Sequence, residues 1–454
     1  MALLIKNAAF IATMDAHGRE LRNQDILIEG PAIAAIGPNL TPPPAAQVLD
    51  ASNRWVFPGL VNTHHHLLQT LTRCVPAIQE AELFPWLKYL YPIWAGLSAD
   101  AVYAGALVGL GELLKSGCTT TGDHHYVFPR GESQLIDREI SAAKELGIRF
   151  HPCRGSMSLG EAEGGLPPNS VIQREEEILA DSQRLIVKYH DGEPFAMCRI
   201  ALAPCSPFSV TRSLLVQSVE LARKYGVRCH THLAETKDET RFCLEQAGMR
   251  PLEYMKDVGW LGSDIWFAHG IHFNEEELAE LAATATGIAH CPVSNQKLSS
   301  GTAAVPAMLQ RGIHVGLAVD GSASNDGSNM LAELKAALLI AKLTWGIDSL
   351  SARDVLAMAT RGGASLLGRE DIGSLAPGKA ADLFLVRGDS IDYAGCRDPI
   401  TALVTCGSSE TVDTTIVNGR VVVKNGSLLT MKEEDIARLG NAAAGELMAK
   451  AGIA

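Results

Sequence analysis

Residues 61–70 read VNTHHHLLQT and follow a short apolar run that ends in Pro58-Gly59. Side chains on an extended backbone alternate between faces, so His64 and His66 can point one way while His65 points the other. Such a pair could ligate a metal or simply hydrogen-bond in a core. A second pair with the same spacing, His230 and His232, sits in GVRCHTHL, and Asp320 ends the run HVGLAVDG. His64, His66, His232 and Asp320 offer three imidazole nitrogens and one carboxylate oxygen. That donor set suits a divalent ion of the zinc type with one position kept for water. The ion lowers the pKa of bound water, and a carboxylate beside it can take the released proton, a role open to Asp320. Without the histidines, Asp320 would read as an Asx turn, because Asp-Gly is a common turn signal.

In HTHLAET, Glu235 stands three residues beyond His232, where it can reach a substrate without ligating the metal. It could shuttle protons, or it could cap the helix that starts in TKDETRF. Removing an amine hydrolytically from an amidine carbon requires a proton on a ring nitrogen and another on the departing ammonia. One mobile acid/base therefore serves both steps. His269, ending IWFAHG, could donate a hydrogen bond to oxygen developing on the substrate or ligate the metal, and the first role is preferred.

These residues need a scaffold that brings them together. Eight strand-like runs recur through the middle of the chain: WVFPGLVNT, GCTTTGD, GIRFHPCRG, CRIALAP, GVRCHTHL, IWFAHG, GIAHCPVS and HVGLAVDG. Residues 135–146, 214–224, 275–285 and 330–342 show apolar spacings of three and four and read as intervening helices. Eight strand-helix units fit a (β/α)8 TIM barrel better than a doubly wound sheet, and no Gly-rich phosphate turn follows any strand. Such barrels keep their chemistry at the carboxyl ends of the strands. Nine of the 14 histidines (64, 66, 124, 125, 151, 230, 232, 269 and 290) fall at these expected strand ends, with Asp123 and Arg154. Scattered core histidines would not group this way.

Both ends of the chain alternate short apolar runs with turn signals, among them Asn418-Gly419 and Asn425-Gly426. Together they predict a small discontinuous β-sandwich formed by both termini. The expected division is sandwich at 1–57, barrel at 58–368, sandwich again at 369–430 and a helical tail at 431–454, to which no role is assigned.

The 454 residues carry a net charge of −12, which argues against nucleic acid or an anionic membrane as partner. No apolar run is long enough to span a bilayer, and the N-terminal stretch reads as a strand. Ten cysteines lie scattered singly, without a CxxC pair, which fits thiols in a reducing cytoplasm. Cys205 and Cys291 read as buried residues rather than nucleophiles.

PGLVNTHHH, HTHLAET, AHGIHF, HCPVSN and AVDGSASN occur in the order found in the amidohydrolase superfamily, and GKAADLFLV resembles that family's closing β-sandwich motif. The resemblance spans essentially the whole chain. It implies a distorted (β/α)8 barrel with His64, His66, His232 and Asp320 binding one divalent metal, zinc first and iron as the alternative. Glu235 would be the proton shuttle and His269 a substrate contact. Strand four, ALAPCSPF, lacks the lysine of two-metal members, so one metal and deaminase chemistry are implied. LVNTHHHLLQTLTR and ELFPWLKYLYPIW resemble the branch acting on oxidised purines, pterins and hydroxytriazines.

The activity implied is hydrolytic deamination of a small heterocycle, 8-oxoguanine first. Isoxanthopterin, guanine and hydroxytriazines are alternatives, and a catalytically silent scaffold is the reading from a different class. Gln69 would bond the ring edge, and Trp86, with Phe84 and Tyr91, could form an aromatic lid. Tyr126 is a further substrate contact, while His125 and Arg154 suit polar packing around the barrel mouth. Family members often assemble, so a homo-oligomer is expected.

Overall fold

The computed structural model describes residues 2–453; Met1 and Ala454, the outermost residues of the expected sandwich and tail, lie outside them. Eight parallel strands follow one another around a barrel: β1 (Leu60–Asn62), β2 (Cys118–His125), β3 (Arg149–Ser156), β4 (Ala201–Pro204), β5 (Arg228–Leu233), β6 (Ile265–His269), β7 (Gly287–His290) and β8 (Val315–Leu317). Each pairs with its sequence neighbour, and all eight expected runs supply one strand. The ring closes where the Thr63 amide donates to the Leu317 carbonyl at 3.1 Å. Beyond that contact a short parallel pair, His65–His66 against Asp320–Gly321, extends the seam toward the mouth. The pairing places the two ends of the predicted donor set side by side.

The run WVFPGLVNT divides differently from its appearance as one strand. Arg54–Pro58 pairs with Leu383–Arg387 in a seven-stranded sheet, and only Leu60–Asn62 enters the barrel. Gly59 makes the crossing between them. A Cβ there would overlap the Thr119 side chain, so the approach to β2 requires glycine.

The seven-stranded sheet and a four-stranded sheet built from residues 2–50 enclose Ile5, Ile11, Ile28, Val56, Leu383 and Ile416. Residues from both termini therefore share one sandwich core. Its hairpins turn at Asn418-Gly419 and Asn425-Gly426, and all four residues have positive φ between 51° and 76°, as a type I′ turn demands.

Helices cover the barrel where the apolar periodicity places them: Leu135–Leu146, Arg212–Tyr225, Glu275–Thr284 and Met330–Trp345. Two more lie near the mouth, α1 (Leu83–Trp94) and α2 (Ala99–Lys115). The C-terminal helix Glu433–Lys450 packs on both, burying Ile436 and Leu447. No helix among the described residues is long and apolar enough to cross a membrane.

Candidate active site

The donor atoms of His64, His232, His269 and Asp320 all lie within 4.8 Å of one another at the carboxyl end of the barrel. His66 joins them, its Nε2 standing 3.0 Å from His232 Nε2 and 3.2 Å from Asp320 Oδ1. His64 Nε2 lies 3.2 Å from the same oxygen. His65 points away, to Ser328 Oγ at 3.0 Å.

The protonation of these rings is set by what lies behind them. His66 Nδ1 donates to the His124 carbonyl at 2.7 Å, and His232 Nδ1 donates to the Cys205 carbonyl at 2.6 Å. Behind His64 the chain is one link longer. His230 Nδ1 donates to the Trp266 carbonyl at 2.9 Å, which leaves His230 Nε2 free to accept from His64 Nδ1 at 2.7 Å. In their neutral forms all three rings therefore carry their only proton on Nδ1. Three Nε2 lone pairs and a carboxylate oxygen then face each other with no proton between them. In agreement, His64 Nε2 is buried without a hydrogen-bond partner.

A cation relieves that repulsion, and backing of each imidazole by a carbonyl or a second ring is how proteins orient metal ligands. Tetrahedral bonds of about 2.05 Å would separate ligand atoms by about 3.3 Å, close to the spacings seen. The cluster thus fits a divalent metal ion.

Asp320 owes its orientation to serines. Its Oδ2 accepts from Ser294 Oγ at 2.5 Å and Ser324 Oγ at 3.2 Å, and its backbone has φ 63°. The carboxylate faces the histidines instead of folding back as an Asx turn. Ala234 and His269 are also left-handed, with φ 54° and 73°, so three strand ends hold strained backbone at the site.

Glu235 is 5% exposed, and its Oε2 lies 3.5 Å from His269 Nε2. The helix cap it might have supplied comes from Thr236 instead, whose side chain accepts from the Glu239 amide. Glu239 in turn accepts the Ala234 and Glu235 amides at 3.0 and 2.9 Å, clamping the turn that presents Glu235. Burial pushes the Glu235 carboxyl above the usual carboxylate range, against the pull of His269. For His269, burial works against charge, but Glu235 and Asp320 outweigh it and lift the ring above its ordinary value. His269 Nδ1 is fixed by Asn295 Oδ1 at 2.9 Å. The two side chains can therefore share a proton.

His66, Gln69, Trp86, Tyr126, His232, Glu235, His269 and Asp320 line one cavity of about 30 Å3, with Leu83, Leu87 and Tyr91 of α1 also in its wall. Gln69 is buried, not on a helix surface. Its Nε2 donates to Tyr126 Oη at 3.3 Å, and its amide lies so close to Gly321 that no Cβ fits there. Cys205 also lines the cavity, but burial pushes its thiol up to about 12, which leaves it protonated. A larger groove of about 470 Å3 between helices Arg212–Tyr225 and Lys237–Ala247 is mostly apolar and lies away from these donors.

Several residues take places other than those expected. Phe84 packs against Phe208 with the rings tilted by 56° and centroids 5.0 Å apart, and does not line the cavity. His151 is near the start of β3 and meets Arg369 Nη1 at 3.3 Å, so it belongs to the opposite end of the barrel. His125 bonds Glu139 at 2.7 Å, and Arg154 bonds Asp181 at 2.9 Å, the polar packing expected of both. Next to His125, Asp123 Oδ1 accepts the Leu67 amide at 2.7 Å and so steadies the turn between His66 and Gln69.

Sequence reasoning missed Glu239, Ser294 and Asn295 as residues that set this geometry. For the last two a signal existed, since HCPVSN puts consecutive polar side chains just beyond a strand end.

The amidohydrolase family profile matches residues 55–422. The chain belongs to the amidohydrolase family. Within it, the chain is 48% identical over 419 residues to 8-oxoguanine deaminase of Pseudomonas aeruginosa, covering 92% of this chain and 93% of that protein. It is 38% identical over 444 residues to hydroxydechloroatrazine ethylaminohydrolase of Pseudomonas sp. strain ADP, covering 94% and 92%. Among solved structures, the atrazine chlorohydrolase of Arthrobacter aurescens TC1 complexed with zinc superposes with a TM-score of 0.94 at 35% identity, covering 97% of this chain and 100% of that one.

Proposed function

We propose that this amidohydrolase removes the exocyclic amine from a purine or pterin-like heterocycle, with 8-oxoguanine and water giving urate and ammonia as the first choice. The observation that carries the reading is the convergence of three proton-free imidazole nitrogens and Asp320 beside the buried Glu235–His269 pair. The identity to a named 8-oxoguanine deaminase supports the choice of ring. Hydrolysis of a hydroxytriazine is the runner-up, supported by the ethylaminohydrolase relative.

In this reading His64, His66, His232 and Asp320 hold one divalent ion, zinc before iron, a preference supported by the zinc in the chlorohydrolase neighbour. The ion supplies Lewis acidity that lowers the pKa of water within reach of the two carboxylates. With the shared proton on His269, the Glu235 carboxylate takes a proton from the attacking water and gives it to the ring nitrogen beside the amine-bearing carbon. Asp320 Oδ2 takes the remaining hydroxyl proton as the product carbonyl forms, and that proton passes through Glu235 to the amine, which leaves as ammonia. His269 Nε2 donates to the developing oxygen, while Gln69 and Tyr126 hold the ring edge.

All ten cysteines are free thiols, which supports a cytoplasmic setting.

Ammonia release is measured on 8-oxoguanine, guanine, isoxanthopterin and a hydroxytriazine, with metal content determined on the same sample. Turnover should be greatest on 8-oxoguanine. Full metal occupancy with no ammonia from any ring would refute the reading.

A further inference from the structure

Asp123 and His125, at the end of β2, and Glu139, on the helix Leu135–Leu146, bring one side-chain donor atom each to within 4.8 Å of the others. Asp123 is 1% exposed, and His125 and Glu139 are fully buried. Glu139 pairs with His125, and among the described residues no lysine or arginine pairs with either carboxyl. Two acids are thus held in the interior without a permanent cation.

The contacts of this cluster can be balanced proton by proton. His125 Nε2 lies 2.9 Å from the Val127 carbonyl, which can only accept, so Nε2 carries a proton. His125 Nδ1 lies 2.7 Å from Glu139 Oε1, and a neutral ring has no second proton to give. That contact therefore requires a proton of its own, on the ring or on the carboxyl. The 2.7 Å spacing is that of a hydrogen bond, whereas ligands on a tetrahedral metal ion would stand about 3.3 Å apart. The Asp123 and Glu139 carboxyls also meet within hydrogen-bonding reach. Asp123 Oδ2 and Glu139 Oε2 are both buried, and no other group donates to them. Two bare carboxylates so placed repel, and one proton between them removes the repulsion. With one proton in each contact the three side chains carry no net charge, whichever atom holds it. Burial pushes the Glu139 carboxyl up to about 8 and the His125 ring down to about 4, which favours the neutral form of both.

The other oxygen of Asp123 serves the active site. Its Oδ1 accepts the Leu67 amide at 2.7 Å, and the short helix Leu67–Thr72 that starts there has no side-chain cap of its own. The neighbouring His124 carbonyl accepts from His66 Nδ1. The end of β2 therefore grips His66 by its ring and by the peptide that follows it, and Gln69 rides on the same helix.

We propose that Glu139 and His125 keep Asp123 protonated and uncharged, and that this neutral carboxyl is a positioning residue whose carbonyl oxygen caps the helix linking His66 to Gln69. What it positions rests on the metal site and deaminase reading above. The protonated acid itself is a property of the three side chains.

The experiment compares each acid with its amide, which has the shape of the protonated acid, and with alanine, all in the full-length protein. In Asp123→Asn the amide oxygen still accepts from Leu67 and the amide N–H donates to Glu139. In Glu139→Gln the N–H donates to His125 Nδ1 and the oxygen accepts from Asp123. Asp123→Ala should lose roughly 10- to 100-fold in metal affinity or in kcat/KM on 8-oxoguanine, and Asp123→Asn should restore both to within about threefold of wild type. The Glu139 variants repeat the comparison where Asp123→Ala does not fold. Infrared difference spectra of substrate-free, metal-loaded enzyme should show a protonated-carboxyl carbonyl band in wild type that Asp123→Asn removes, a readout that packing alone would not move. Asp123→Asn falling as far as Asp123→Ala, or the absence of that band, overturns the neutral acid. Alanine variants with unchanged metal affinity and kinetics overturn the positioning role. Metal-loaded wild type that releases ammonia from no ring overturns the deaminase reading, and the infrared and metal measurements still decide the state of Asp123.

Discussion

The two ends of the barrel are both crowded with ionisable side chains, yet their charged groups are arranged in opposite ways. At the amino end, Arg149 reaches Asp382 with two bonds of 2.9 and 3.0 Å, the Phe195 and Ala196 carbonyls at 2.7 and 2.6 Å, and Asn418 at 3.1 Å. Arg369 pairs with Asp371 at 2.7 Å and also meets His151. The donors of these two arginines meet acceptors. At the carboxyl end, the Nε2 atoms of three histidines and an oxygen of Asp320 point at each other, and Trp86 and Tyr91 carry donors with no acceptor. A buried network that closes on itself holds the fold together. One that converges without closing is waiting for a ligand.

The contrast is broken most severely at the mouth. His232→Ala should abolish metal binding and turnover together, whereas Glu235→Gln should keep the metal and lose roughly 10²- to 10⁴-fold in kcat. Metal analysis beside steady-state kinetics separates these outcomes. Equal metal loss in both variants would end the division between ligand and proton carrier.

At the other end, Arg149→Ala strands the Asp382 carboxylate in the interior and should cost about 3–5 kcal/mol of stability. Turnover per folded, metal-loaded molecule should not change. Denaturant unfolding and active-site kinetics on the same preparation test this, and a fall in kcat at unchanged stability would contradict it.

The smallest effect expected tests the clamp between the two kinds of network. Glu239→Gln keeps one acceptor for the Ala234–Glu235 turn but replaces the other with a donor. A loss in kcat of roughly 10- to 100-fold, with metal content intact, is the outcome if Glu239 positions Glu235. Unchanged kcat would show that the left-handed turn holds without it.

The divided legibility of the sequence has a physical basis. The barrel was readable because each strand is a short apolar run between helical stretches, and the clustering of His64, His66, His232 and Asp320 because each stands at or just beyond the end of such a run. His151 misled because strand direction, not membership, decides which end a residue serves; it lies two residues after β3 begins. The run through Pro58-Gly59 looked continuous because a strand crossing from one sheet to another keeps its apolar texture. Glu239 was invisible as a positioning group because an acid in the first turn of a helix is ordinary capping composition. The tautomers of His64, His66 and His232 depend on carbonyls of other strands, which no local pattern encodes.

The pairing of Arg54–Pro58 with Leu383–Arg387 joins segments more than 300 residues apart in the chain. During synthesis at about 5–20 residues per second, the early strand must wait tens of seconds for its neighbour to emerge. All eight barrel strands are made within that interval. The sandwich can therefore be completed only after the barrel strands, and its edge at Arg54–Pro58 stays open for pairing with other chains until then.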